Sequence, residues 1–353
     1  MTLCIGWTDS DAVYLTADSA VTVGPRALRN DYSSFGEKQP TSSIGNVEES
    51  ALKIFRHQDT AATFAGDVSP INGIFANYVQ SSRFLSPREA FDVAWMSSHT
   101  GGRLEALFVY HDSAGPHLVK YGPLNNVGDE ATTACIGSLP AENREYIRSF
   151  VQNMPPQASI TDRVVGTICI TQRLAIFFNL MESHGIGGLV AGCSVSKSGL
   201  QWTPDTMHVI LRGQLADQLS NDGLNVVVTC ARFDTLFVCN NLTGGYSGFT
   251  SRFGINTGLG YKEMVEHMLV NKDQLPPIST NLKVDYIVFH DVTTELSTIF
   301  NVRAGGDRVL KYWLVQEAVT RRLHVHFTAS GSGYATLNRR SSGDGGDIAF
   351  VAY

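Results

Sequence analysis

Short apolar runs separated by polar punctuation dominate the first two hundred residues. LCIGW (3–7) and AVYLTA (12–17) flank T-D-S-D and predict a β-hairpin. Residues 23–50 then lose all periodicity. Their Gly, Pro, Ser and Asn density predicts a loop without a firm core of its own. LKIFRH (52–57) and TAATFAG (60–66) read as two further strands. The apolar spacing then turns helical in INGIFANYVQSS (71–82) and in REAFDVAWMSS (88–98), where Ser86-Pro87 followed by Glu89 is a helix start.

Strands return with EALFVYHD (105–112), HLVKYGP (117–123) and TTACIGS (132–138). ENREYIRSFVQNM (142–154) and DRVVGTICITQRLAIFFNLMES (162–183) predict two more helices, and the joint HGIGG leads into the strand LVAGCSVSK (189–197). Strands grouped between pairs of helices predict an α+β fold, with helices packed on antiparallel sheets, rather than a βαβ alternation. Beyond Trp202 the candidate strands are NVVVTC, TLFVCNN, VDYIVFH, LSTIFNV, LHVHFTA and DIAFVAY. Helical patterns fall near 261–270 and 308–320, and GSGYATLNRRSSGDGGD (331–347) reads as a Gly/Ser-rich loop.

Composition narrows the chemistry. The 353 residues suit one large or two modest domains, and 43% hydrophobic content supports a buried core without disulfides or metals. A net charge of -6 argues against a nucleic-acid partner, and the Arg pairs at 321–322 and 339–340 are too short to reverse it. The six cysteines are scattered, without the closely spaced pairs of a zinc site. No leader peptide precedes the first strand and no apolar stretch is long enough to span a bilayer, so a cytoplasmic, membrane-free chain is expected. His324 and His326 share a strand face, and SGDGGD (342–347) carries carboxylates. Both read as solvated surface rather than metal sites. GLGYKE (258–263) lacks the spacing of a dinucleotide-binding loop.

Thr2 carries the sharpest chemical possibility. A threonine hydroxyl needs an adjacent base, and a free α-amino group with a pKa near 8 supplies one on the same residue. Loss of Met1 is therefore a chemical requirement. A nearby ammonium would stabilise the developing alkoxide, a carboxylate would hold that ammonium, and a backbone N–H at a glycine turn would receive the oxyanion. Asp18 closes the second strand, Lys53 opens the third and Gly66 closes the fourth.

With Asp18 sixteen residues after Thr2 and Gly66 thirteen after Lys53, TLCIGWTDSDAVYLTADSAVT, LKIF and TAATFAG resemble the start of a proteasome β-type subunit. That family includes a bacterial ATP-dependent threonine peptidase, and the resemblance extends to about Trp202. It implies a four-layer αββα sandwich of the N-terminal nucleophile hydrolase type over 1–204, with an insertion at about 23–50 and an α+β extension of unknown role over 205–353. By resemblance Thr2 is the nucleophile and amine base, Asp18 and Lys53 its electrostatic support, Gly66 the oxyanion donor and Ser138 a supporting serine. Thr22 would bind extended substrate through its backbone, and Phe64 would floor a shallow specificity pocket. The implied reaction is peptide or amide hydrolysis through an acyl-ester, without metal or organic cofactor. The implied partners are further copies of the chain in a ring and an unfoldase or other protein.

Two departures stand out. The segment between Asp18 and Lys53 is much longer than is usual in that family. In Ser183-His184-Gly185-Ile186-Gly187-Gly188, Ser183 and Ile186 stand where the family has the Asp and Ser that brace the threonine amine, leaving Ser183 or His184 to substitute. The rival expectations are a non-catalytic scaffold of the same fold and a small-molecule amidase or acylase.

Overall fold

The computed structural model describes residues 2–25, 28, 31–43, 45–67, 69–98, 103–122, 127–155, 158–212, 224–232, 235–240, 246–250, 285–293, 295–301, 323–327, 333–337 and 348–351. Met1, the helical patterns near 261–270 and 308–320, the Arg pairs, GLGYKE and SGDGGD lie outside the described residues.

Period-two alternation decides which way each strand faces. In β1 (Leu3–Thr8), Leu3, Ile5 and Trp7 join one core while Cys4 joins another; β2 (Ala12–Asp18) divides Tyr14 from Val13, Leu15 and Ala17 in the same way. A two-residue period with both faces apolar produces a sheet buried on both sides.

The segment that follows β2 contains β3 (Ala20–Val23) and β4 (Asn46–Glu49), which form a two-stranded ribbon. β5 (Ile54–His57), β6 (Thr60–Ala65), β7 (Glu105–Asp112), β8 (Gly115–Tyr121) and β9 (Asp129–Glu130) pair antiparallel in chain order as a five-stranded sheet. With β10 (Thr133–Gly137), β11 (Val190–Ser196) and β12 (Gly199–Trp202), the first hairpin builds a second five-stranded antiparallel sheet in the order β10-β1-β2-β11-β12.

The two sheets share one core, in which Cys4, Leu15, Ile136 and Cys193 of one meet Ala61, Leu107, Val109 and Leu118 of the other. Helices α1 (Ile71–Ser81) and α2 (Pro87–Ser98) cover the outer face of the β5–β9 sheet through Phe64, Phe75, Tyr78, Phe91, Trp95 and Phe108. Rings of Phe91 and Phe108 stack there at 4.3 Å. Ser86 and Glu89 cap α2 reciprocally: the Ser86 amide donates to Glu89 Oε2 at 3.1 Å and the Glu89 amide to Ser86 Oγ at 3.4 Å, at the Ser-Pro-x-Glu helix start. Helices α3 (Ala141–Gln152) and α4 (Ile160–Phe177) cover the outer face of the β1 sheet.

α4 is buried nearly all round, polar Thr167, Thr171 and Gln172 included, because both of its sides are covered. Its second side meets a six-stranded sheet of β13 (Thr206–Leu211), β14 (Leu224–Arg232), β15 (Thr235–Asn240), β16 (Tyr246–Thr250), β17 (Tyr286–Asp291) and β18 (Leu296–Asn301). Val165 and Cys169 of α4 pack on Tyr286, Val288 and Ile299. The strand order is β16-β15-β14-β13-β17-β18, and β13 and β17 run parallel. A further antiparallel sheet consists of β19 (Leu323–Phe327), β20 (Gly333–Leu337) and β21 (Ile348–Val351).

The architecture is thus mixed α+β, with several antiparallel sheets and five helices among the described residues. Four details differ from the sequence reading. The long helix predicted over 162–183 stops at Phe177, because Asn179 turns left-handed (φ 48°) and a short α5 (Leu180–His184) restarts after it. β20 falls inside 331–347, where the surrounding Gly and Ser mask the strand-forming Tyr-Ala-Thr-Leu. TMHVIL (206–211) is a fully buried strand that the sequence reading omitted. The stretch 23–50, expected to be a loop without a firm core, supplies core residues among its described ones: Phe35 is 0% exposed between the sheets, and Val47 packs with Ala20 and Met181.

Candidate functional site

The site grows from the first hairpin. β1 and β2 pair with Cys4 opposite Ala17, and β2 pairs with β11 so that Asp18 faces Val190. Asp18 therefore ends β2 at the edge where β1 begins, 1% exposed. Its Oδ1 accepts from the Leu3 amide at 2.8 Å and from Lys53 Nζ at 2.6 Å. Its Oδ2 accepts from the amides of Ala20 and Gly187, each at 3.2 Å. Four donors converge on one buried carboxylate, and one of them belongs to the residue directly after Thr2. Lys53 itself is 7% exposed, so the ammonium and carboxylate neutralise one another inside the protein.

Thr2 lies at the partly exposed start of β1. The Ser138 amide donates to the Thr2 carbonyl at 2.9 Å, which ties Thr2 to the end of β10. Gly137 has φ +100°, and a Cβ on it would stand 1.8 Å from that same carbonyl, so only glycine permits this approach. The Ser138 backbone thus meets Thr2, and the residue itself is solvent-exposed.

Gly66 follows β6 with φ +112°, and a Cβ there would lie 1.7 Å from the Arg103 carbonyl oxygen. The strand that Gly66 ends meets β1 at Cys4, whose thiol bonds Thr63 Oγ1 at 2.9 Å and the Phe64 carbonyl at 3.8 Å. Burial pushes the Cys4 thiol up to about 12, which removes it as a competing nucleophile. The Phe64 ring is 4% exposed and packs against Phe55 and Phe91 under the helices. Thr22 is exposed on β3, opposite Val47.

The glycine turn after α5 comes up against Asp18. Ile186 is 0% exposed in the core beneath α3 and α4, and Ser183 is exposed, donating to the Asn179 carbonyl at 3.1 Å within its own turn. His184 Nδ1 is 2.8 Å from Ser183 Oγ. Neither Ser183 nor His184 is placed by these bonds on Asp18. Polar side chains do reach the turn, but from other elements. Gly188 N donates to Glu37 Oε2 at 2.7 Å, Leu189 N to Glu49 Oε1 at 2.7 Å and Val190 N to Gln172 Oε1 at 3.0 Å. Sequence reasoning missed these three residues. Glu37 and Glu49 sit in a stretch without periodicity, and Gln172 lies between Thr171 and Arg173 in a helix where nothing local sets it apart.

Among the described residues, no group of three or more His, Cys, Asp or Glu side chains is arranged to hold a metal ion, and no helix is long and apolar enough to cross a membrane. The strand β19 carries His324 and His326, whose side chains lie outside the described ones. An open cavity of about 230 Å³, lined in part by Trp7, Asp9, Met154 and Arg163, lies at the opposite end of β1 from Thr2. Comparison with protein-family models gives no match, and comparison with curated proteins gives none either.

Proposed function

We propose that this chain is an N-terminal threonine hydrolase that cleaves peptide or amide bonds through an acyl-ester on Thr2. The buried Asp18–Lys53 pair, joined to the Leu3 amide directly behind Thr2, carries this reading. The layering of two helices, two facing sheets and two more helices is in keeping with the αββα sandwich of N-terminal nucleophile hydrolases. On this reading residues 1–204 form the hydrolase domain and 205–353 the extension.

The reaction needs Met1 to be removed. Thr2 Oγ then attacks the substrate carbonyl carbon while its proton passes to the Thr2 α-amine. The Lys53 ammonium favours the alkoxide, and Asp18 holds that ammonium in place. The tetrahedral oxyanion takes a hydrogen bond from Gly66 N–H, whose direction the left-handed turn sets. Collapse expels the amine, which receives the proton from the α-ammonium. Water, activated by the same amine, then releases the acid and regenerates Thr2. Apart from the substrate and that water, each step uses protein groups. Substrate would lie along β3 at Thr22, over a pocket made shallow by Phe64, in a cytoplasmic assembly of several copies of the chain, served by an unfoldase or other protein partner.

Hydrolysis of a mixed library of peptides and small amides by the purified protein, with Thr2→Ala beside it, tests the reading. Product formation that disappears in the variant supports it, and the products separate a peptidase from a small-molecule amidase. Equal turnover by both proteins removes Thr2 from the chemistry.

A further inference from the structure

We propose that Glu37 is a positioning residue of this site: its buried carboxyl clamps the Gly187–Gly188 turn against Asp18 and thereby orients the groups behind Thr2. The proposal rests on the hydrolase reading for its catalytic consequence and on the turn geometry for its physical content.

Four consecutive amides, Gly187 to Val190, donate to four side chains from four parts of the chain: Asp18, Glu37, Glu49 and Gln172. The carbonyls are held as well, since Ala20 N donates to Gly187 O at 3.1 Å and Gln172 Nε2 to Gly188 O at 2.8 Å. Gly188 is left-handed (φ +68°), and a Cβ on Gly187 would stand 2.4 Å from Glu37 Oε1. The carboxyl of Glu37 therefore occupies the place a side chain at 187 would take. It reaches a turn whose own Ile186 points into the core. Removing this clamp frees Gly187, and with it one of the four donors on Asp18.

Glu37 is itself held from two sides. Ser33 Oγ donates to its Oε2 at 2.9 Å, and the turn of residues 33–37 is pinned from the six-stranded sheet. Arg212 donates to the Phe35 carbonyl, and Asn225 Nδ2 donates to the Ser34 carbonyl at 3.0 Å. The charged groups facing Glu37 are Arg212, which favours its ionised form, and Glu49, which opposes it. Burial is the largest influence and lifts the Glu37 carboxyl to about 7. Below neutrality the clamp is therefore a neutral acid and its bond from Gly188 is weaker; above neutrality the bond is charge-assisted.

Backbone amide resonances of Gly187 and Gly188, followed by NMR through the neutral range in wild type, Glu37→Gln and Arg212→Met, test the clamp directly. The expected result is a downfield shift of both amides with a midpoint near 7 in wild type, no such shift in Glu37→Gln, and a higher midpoint in Arg212→Met. A Gly188 resonance independent of pH in wild type overturns the proposal, whatever the variants do. The second reading is the rate at which a threonine-directed electrophile labels Thr2. Its logarithm should rise with pH below neutrality with a slope of about 2 in wild type, from the amine and Glu37 together, and about 1 in Glu37→Gln. Equal slopes overturn the positioning role and leave the hydrolase reading standing. Wild type that never labels while Gly187 still titrates overturns the hydrolase reading and the catalytic role, leaving only a structural clamp.

Discussion

Lys53 Nζ donates to Asp18 Oδ1 across 2.6 Å, in a place where the aspartate side chain is 0% exposed and the lysine 8%. A pair this deep is held less by its own attraction than by the cost of leaving either charge alone.

Asp18→Asn keeps the shape of the side chain and strands the Lys53 ammonium. Chemical denaturation should show a loss of about 3–5 kcal/mol. Adding Lys53→Met to that variant should recover part of the loss, because the stranded charge is gone. A destabilisation by Asp18→Asn of under about 0.5 kcal/mol would place the pair in solvent, contrary to the structure.

Asp162 joins α4 to the six-stranded sheet. Its Oδ2 accepts from the Ser159 amide at 3.1 Å in the helix cap, while Oδ1 accepts from Tyr286 Oη at 2.6 Å and Asn301 Nδ2 at 3.0 Å. Asp162→Ala should cost about 2–4 kcal/mol by losing a cap and two buried acceptor bonds at once. Tyr286→Phe, which removes one donor, should cost about 1–1.5 kcal/mol. If the two variants lose the same amount, the cap contributes nothing.

His208 and His290 face one another inside the six-stranded sheet, with Nδ1 of the first 3.4 Å from Nε2 of the second and the rings 2° from parallel. Burial lowers His208 from an ordinary 6.5 to about 3, and His290 well below 6.5, with His208, Arg173 and Arg212 adding to the effect. Between those values the unfolded chain binds a proton that the native protein refuses, so stability falls as pH falls below 6.5. From pH 6.5 to 5.0 His208 alone should account for about 1.5 kcal/mol. Glu37 acts in the opposite sense: its raised value makes stability fall as pH rises from 4.5 to about 7. Thermal unfolding of His208→Gln and Glu37→Gln separates them, since the first should flatten the acid loss and the second should steepen it. An acid limb unchanged in His208→Gln would mean that His208 is not held neutral in the native protein.

The parts legible in the sequence are those written locally. The short apolar runs LCIGW and AVYLTA, bounded by polar turn residues, mark strands because both faces of that sheet are buried. The order Asp18, Lys53, Gly66 singles out residues whose contacts are made over long separations, and Asp18 and Lys53 do meet. Glu37 and Glu49 were illegible. A glutamate amid Ser, Gly and Lys reads as solvated, and its burial depends on Gly188, Leu189 and Arg212, which lie far along the chain. The break at Asn179 was hidden too, because FFNLMES keeps its apolar spacing through a residue that turns left-handed. β13 escaped notice for a related reason: TMHVIL is short, and the strands that pair with it on either side, β14 and β17, are supplied from further along the chain.

Intact mass of the purified protein, before and after exposure to an electrophile selective for N-terminal threonine, tests the central claim most directly. The account predicts a chain lacking Met1 that gains one adduct on Thr2, with no adduct on Thr2→Ala. A chain that retains Met1, or one that lacks it and labels equally in Thr2→Ala, would contradict it.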